Sequence, residues 1–171
     1  MKQKTKSNLM LVLIALVVIV LDQLTKRAVQ QNLALGEALL VFPPWNFVRI
    51  VHWVNTGAAF GIFQGGNAVL IGLTAAITLA ILVYYQTLSG DYLFQRICLA
   101  LMVGGSIGNL IDRLTLGYVV DFVAVGRFPV FNLADSCVTV SVILLLISMI
   151  LEERKAQSSG KPSDHGVQAQ Q

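Results

Sequence analysis

Charge is what this chain has least of. Asp, Glu, Lys and Arg together make up 12% of its 171 residues, where a soluble domain carries about 25%. With 56% hydrophobic residues and a mean hydropathy of +0.73, that scarcity excludes an ordinary soluble domain and indicates one integral membrane domain. Cysteine is nearly absent. Cys98 and Cys137 each sit in an apolar stretch and read as small buried hydrophobes, not as a disulfide or a metal site. Histidine is limited to His52 and His165. No HExxH motif or Cys/His cluster occurs, so no metal and no cofactor is expected. The net charge of +3 comes from basic residues spread along the chain. Nucleic acid is therefore not an expected partner, and basic flanks beside a membrane have a simpler explanation in topology.

Four apolar stretches are present, over about residues 9–24, 68–88, 93–111 and 133–151. Each approaches the ~20 residues a helix needs to cross a ~30 Å hydrocarbon core, and helices satisfy their own backbone in lipid. Lys2, Lys4 and Lys6 before the first stretch resemble the start of a signal peptide. No small-x-small cleavage site follows, only Asp22-Gln23-Leu24-Thr25-Lys26, so a retained first span is expected. Four spans put both termini on one side. That side, with the loop near Ser89-Gly90-Asp91, holds Lys2, Lys4, Lys6, Arg96, Arg154, Lys155 and Lys161. The other holds Lys26, Arg27, Arg49, Arg113 and Arg127. The excess, and above all the N-terminal cluster, predicts cytoplasmic termini. Residues 152–171 are polar and are expected to form a disordered cytoplasmic tail, with no role for His165.

The two segments on the opposite side, about 32–67 and 113–132, are expected to carry short strands. Residues 41–54 are rich in β-branched and aromatic side chains, with Trp45 and Trp53 at headgroup level. They lead into Asn55-Thr56-Gly57-Ala58-Ala59-Phe60-Gly61, where small residues including Gly57 let the backbone approach a ligand closely. His52 reads as an interfacial polar residue.

Asp22, Asp112, Asp121 and Asp135 all fall near this one surface. Asp22 and Lys26, spaced i, i+4, share a helix face and can pair. Asn109, Asp112 and Arg113 share another face, and the Arg113 fork could hold a carboxylate or carbonyl. By sequence neighbours, Asp112 has Arg113 beside it, which leaves Asp121 and Asp135 without a local cation. Ionisable groups at membrane depth are expensive and read as functional. Two close carboxylates cannot both ionise, so such a pair shares a proton and can activate a water. Ser106 and Ser136 have no neighbouring His to make a nucleophile. Gly104-Gly105-Ser106-Ile107-Gly108 contains a GxxxG pattern, which packs helices and would bring Asn109 inward.

Five motifs then occur in order: Asp22-Gln-Leu-Thr-Lys26, Asn55-Thr-Gly-Ala-Ala-Phe60, Gly104-Gly-Ser-Ile-Gly-Asn109-Leu-Ile-Asp112-Arg113, Gly117-Tyr-Val-Val-Asp121-Phe122 and Phe131-Asn132-Leu-Ala-Asp135-Ser136. In this the chain resembles the bacterial lipoprotein signal peptidases, or signal peptidase II, from about Asn8 to Leu151. The resemblance implies a membrane aspartyl endopeptidase of the cytoplasmic (inner) membrane, with its site near the extracytoplasmic face. It implies four transmembrane helices, a small extracytoplasmic β-cradle and a short helix lying on the membrane. The implied substrate is a prolipoprotein whose cysteine carries a diacylglyceryl group, cut just before that cysteine. Asp121 and Asp135 map onto the catalytic pair. Asp22, Lys26, Asn55, Asn109, Arg113 and Asn132 map onto the polar surround, with Asp112, Gly57, Gly105 and Ala134 as further supporting positions. Membrane lipids and the inhibitor globomycin are the other implied partners; a monomer is expected. The rival reading is a small proton-coupled transporter or channel. Against it, the ionisable groups cluster at one face, the second span has no charge, and no inverted repeat is visible.

Overall fold

The computed structural model describes residues 2–40, 47–57, 66–88 and 92–159. Trp45, the segment from Ala58 to Gly61, the loop at Ser89–Asp91 and the last twelve residues of the expected tail, 160–171, lie outside these. Among the described residues, four helices are long and apolar enough to cross a membrane. They are α1 (Lys2–Asn32), α2 (Asn67–Thr87), α3 (Leu93–Thr115) and α4 (Leu133–Ser159), joined by strands β1 (Ala38–Leu40), β2 (Val48–Asn55) and β3 (Val119–Val125).

α3 is the centre of the bundle. Half of its membrane window is buried, against 22% in α1, 17% in α2 and 11% in α4. The outward faces of the others carry exposed Val12, Leu16, Leu73, Leu79, Ile143 and Leu146, as a lipid-facing surface requires. The glycine run sets how closely α3 is approached. A Cβ on Gly104 would lie 2.8 Å from Val18 Cβ of α1, and one on Gly105 would lie 2.6 Å from the Ala134 carbonyl oxygen of α4. Close packing of small residues is the main source of helix association in lipid. α2 packs on α3 and, among the described residues, brings no Cα within 8 Å of α4.

Three helices are longer than their apolar stretches suggested. α1 has 31 residues, about 46 Å at ~1.5 Å per residue, which exceeds the ~30 Å hydrocarbon core. Its last turns emerge beyond the apolar run, where Val29 and Leu33 pack under Phe122 of β3. α3 continues to Thr115, so residues 113–115 are helical and not part of the cradle. α4 continues to Ser159, so 152–159 is helix where a disordered tail was expected. Glu, Arg, Lys and Ala there are good helix formers, and extending an existing helix needs no new nucleus.

At the end of the bundle away from the sheet, Arg96 lies over the Tyr85 ring, 4.8 Å from its centroid. The Tyr85 hydroxyl donates to the Ser7 carbonyl at 2.6 Å, and Arg96 also bonds Ser7 Oγ and the Leu88 carbonyl. This joins α1, α2 and α3 where the first helix enters. Ser141 of α4 is fully buried, and its hydroxyl has no hydrogen-bond partner among the described residues. An unpaired buried hydroxyl is costly, so Ser141→Ala is expected to raise stability by about 1 kcal/mol. Thermal unfolding in detergent checks this, and a lowered melting temperature would contradict it.

The sheet has the order β1-β2-β3, all antiparallel. Its irregularity matters most. From Ile50 to Trp53 is three steps on β2, against two from Val123 to Asp121 on β3. One extra residue switches which β2 side chains share the face of Asp121. Before the switch Val48 and Ile50 stand opposite Val125 and Val123; after it Trp53 and Asn55 stand opposite Asp121 and Val119. Without the bulge, His52 and Val54 would take those places.

Candidate active site

The polar residues of five elements meet between the sheet and the upper ends of α1, α3 and α4. α1 contributes Asp22, Gln23 and Lys26, the lysine lying one turn beyond the other two. Lys26 is 2% exposed. Its ammonium lies 2.8 Å from Asp22 Oδ2 and 2.9 Å from Asp112 Oδ2, and donates to Asn109 Oδ1 at 2.9 Å. The i, i+4 pair with Asp22 thus forms. Asp112, however, takes its cation from Lys26 across the α1–α3 interface and not from Arg113. Adjacent residues point about 100° apart around a helix, so Asp112 turns to α1 while Arg113 turns to the sheet. There Arg113 reaches the Gly57 carbonyl at 3.5 Å.

Asn132 precedes α4 and fixes its start. Its Oδ1 accepts from the Asp135 N–H at 2.9 Å, and Asp135 Oδ2 accepts from the Asn132 N–H at 3.2 Å. These two reciprocal bonds form a capping box. Asn132 Nδ2 meanwhile donates to Asp121 Oδ1 at 2.7 Å and to Asn109 Oδ1 at 3.0 Å. Asn109, with its oxygen held by Lys26 and Asn132, must turn its amide N–H toward Asp135 Oδ1, 2.7 Å away. On the other side, Asn55 Nδ2 donates to Asp121 Oδ2 at 2.9 Å, a contact the bulge makes available. Asn55 Oδ1 accepts from the Gly57 N–H at 3.0 Å.

Asp121 and Asp135 are therefore joined through amides, and among the described residues neither makes an ion pair. Asp121 is 1% exposed. Burial, and after it the nearby Asp135 charge, push its carboxyl up to about 7, against the pull of the Asn55 and Asn132 hydrogen bonds and the Lys26 charge. Both aspartates line a cavity of about 1060 Å³. Trp53, Asn55, Gly57, Asn109 and Arg113 border its sheet end, and Thr74, Ile77, Ser106 and Thr139 its membrane end between α2 and α4.

The remaining positions act through their backbone or their size. The Ala134 N–H donates to Asp22 Oδ1 at 3.1 Å, and the bare Cα of Gly105 lets Ala134 sit against α3. Gln23 was not among the residues singled out from the sequence. It donates to Asp112 Oδ1 at 2.8 Å and to the Gly108 carbonyl at 3.2 Å. Its place between Asp22 and Lys26 in the first motif was the available signal. His52 donates from Nδ1 to the Leu33 carbonyl at 3.0 Å, away from the site. Cys98 is buried and Cys137 half-buried, and both are free thiols.

The model of the family described as signal peptidase (SPase) II matches residues 14–151. The lipoprotein signal peptidase of Moorella thermoacetica is 42% identical over 139 residues, covering 81% of this chain and 91% of the relative. That of Dehalococcoides mccartyi is 45% identical over 137 residues, covering 78% and 84%. A bacterial membrane enzyme solved by the in meso method at 2.3 Å resolution superposes with a TM-score of 0.79 at 33% identity, covering 91% of this chain and 94% of the other. Nothing in these matches supports a transporter or channel. With four membrane helices, four of the five motifs on the wall of one cavity, the first joined to it through Lys26 and Asn109, and this likeness along most of its length, the chain belongs to the signal peptidase II family.

Proposed function

We propose that this chain is a membrane endopeptidase of the aspartic type that removes signal peptides from prolipoproteins. In this reading Asp121 and Asp135 are the catalytic pair, and the cut falls just before a cysteine that carries a diacylglyceryl group. One observation carries it: two carboxylates that make no ion pair among the described residues share one amide net at the wall of a cavity that reaches membrane depth. Two such groups hold one proton between them. The ionised one takes a proton from water as the water oxygen attacks the scissile carbonyl, and the protonated one supplies the carbonyl oxygen. The gap between α2 and α4 gives a lipid-anchored substrate a sideways route from the bilayer. The sheet end faces away from the cytoplasm, with the termini inside, and the chain works as a monomer among membrane lipids. Globomycin competes for the same cavity.

Purified protein in detergent is expected to release the signal peptide from a diacylglyceryl-modified prolipoprotein, and to be blocked by globomycin. The rate should fall as pH rises through about 7, because Asp121 loses the shared proton there. No cleavage of the lipid-modified substrate would end this reading. A rate still rising well above pH 7 would contradict the shared proton.

A further inference from the structure

Among the described residues, the two aspartates are held by equal numbers of donors but not by equal surroundings. Asp121 accepts from Asn132 Nδ2 at 2.7 Å and Asn55 Nδ2 at 2.9 Å. Asp135 accepts from Asn109 Nδ2 at 2.7 Å and the Asn132 N–H at 3.2 Å. Two N–H groups on each carboxylate offset one another, so hydrogen bonding does not decide where the proton rests. Position does. Asp135 lies in the first turn of α4 and is the acid of a capping box, where the partial positive charge of the helix end favours an anion. It is also half-buried at the cavity wall. Asp121 lies within a strand, which has no such terminus, and is 1% exposed, so its charged form lacks both the helix end and water.

The other charged groups around the pair do not reverse this. From α1, Lys26 is bound to Asp22, Asp112 and the Asn109 oxygen. From α3, Arg113 lines the cavity and donates to the Gly57 carbonyl, while Asp112 is turned to Lys26 and the Val120 N–H. From β2, Asn55 is neutral, His52 is turned to the Leu33 carbonyl, and Arg49 stands opposite Ala124, three residues along β3 from Asp121.

We propose that the pair is asymmetric at rest, with Asp135 the ionised general base and Asp121 the proton carrier and general acid. The inference rests on the peptidase reading above and assigns its two roles. Asp135 takes one proton from water while the water oxygen bonds to the scissile carbonyl carbon. Asp121 gives its proton to the carbonyl oxygen, which leaves a neutral gem-diol. In collapse the C–N bond breaks and the nitrogen takes the proton from Asp135. One gem-diol hydroxyl returns its proton to Asp121 as the carbonyl re-forms. Peptide and water become acid and amine, and the dyad ends as it began. The raised proton affinity of Asp121 agrees with this direction.

Infrared difference spectra of the full chain in detergent test it at about pH 6, on the acid side of the raised Asp121 value. The wild type is expected to show a protonated-carboxyl band that Asp121→Asn removes and Asp135→Asn keeps. A band that survives Asp121→Asn, or that both substitutions remove, overturns the assignment. Asp121→Ser and Asp135→Ser repeat the test where an amide variant fails to fold, as judged by its melting temperature. Cleavage of the lipid-modified prolipoprotein is measured on the same wild-type sample. If that fails while the band behaves as expected, the peptidase reading falls and the proton assignment stands.

Discussion

Asp121→Asn and Asp135→Asn are each expected to fold and to lose turnover by about 10²–10⁴-fold, the usual worth of a positioned acid or base. The fold should survive because an amide has almost the volume of a carboxyl and still offers an oxygen. In Asp121→Asn that oxygen can accept from Asn132 or Asn55, whose donors lie 2.7 and 2.9 Å away. In Asp135→Asn the Asn132 side chain still caps the Asp135 position's N–H, a bond of 2.9 Å. The lost charge at the helix terminus costs only about 0.3–1 kcal/mol. Chemistry has no such substitute, because an amide at neutral pH neither takes a proton from water nor gives one to a carbonyl. Turnover of lipid-modified prolipoprotein, read beside the detergent melting temperature, separates the two effects. Near-normal turnover in either variant removes that carboxyl from the reaction. Loss of folding in step with loss of activity would assign it to structure.

What the sequence made legible, and what it hid, follows from the range of each interaction. The four helices are written in long apolar runs, because lipid demands them locally. Lys26 and Asp22 are one turn apart on one helix, so their 2.8 Å contact is visible in the spacing. The partner of Asp112 is not, since Lys26 reaches it only once α1 and α3 pack. The glycines that permit this packing were readable as a motif, though not which helix each one meets: Gly104 meets α1 and Gly105 meets α4. The facing of Asn55 was hidden altogether. A strict two-residue alternation from Ile50 points Asn55 away from Asp121, and only the extra residue between Ile50 and Trp53 corrects it. The helix ends were misjudged for a simpler reason. Hydropathy marks where lipid ends, while α1, α3 and α4 continue past that depth as polar helix.

Lys26→Ala is expected to destabilise the protein by about 3–5 kcal/mol, as removal of one partner from a buried ion pair does. The side chain is 2% exposed and serves Asp22, Asp112 and Asn109 at 2.8, 2.9 and 2.9 Å. Without it two carboxylates on facing helices share a dry interface with only neutral donors. Those are the Ala134 N–H and the Gln23 amide on Asp22, and the Gln23 amide and Val120 N–H on Asp112. Asn109 also loses the cation that holds its oxygen, so its amide is freer to turn from Asp135. Turnover should therefore fall beyond what the unfolded fraction explains. A second change isolates the electrostatic part. Asp22→Asn added to Lys26→Ala removes one stranded charge at nearly constant volume, and should recover part of the lost melting temperature without restoring the Asn109 contact or full turnover. An unchanged melting temperature in Lys26→Ala would show that the ammonium is not what holds α1 to α3 at this depth. Full recovery of turnover in the double variant would show that Asn109 keeps its orientation through Asn132 alone.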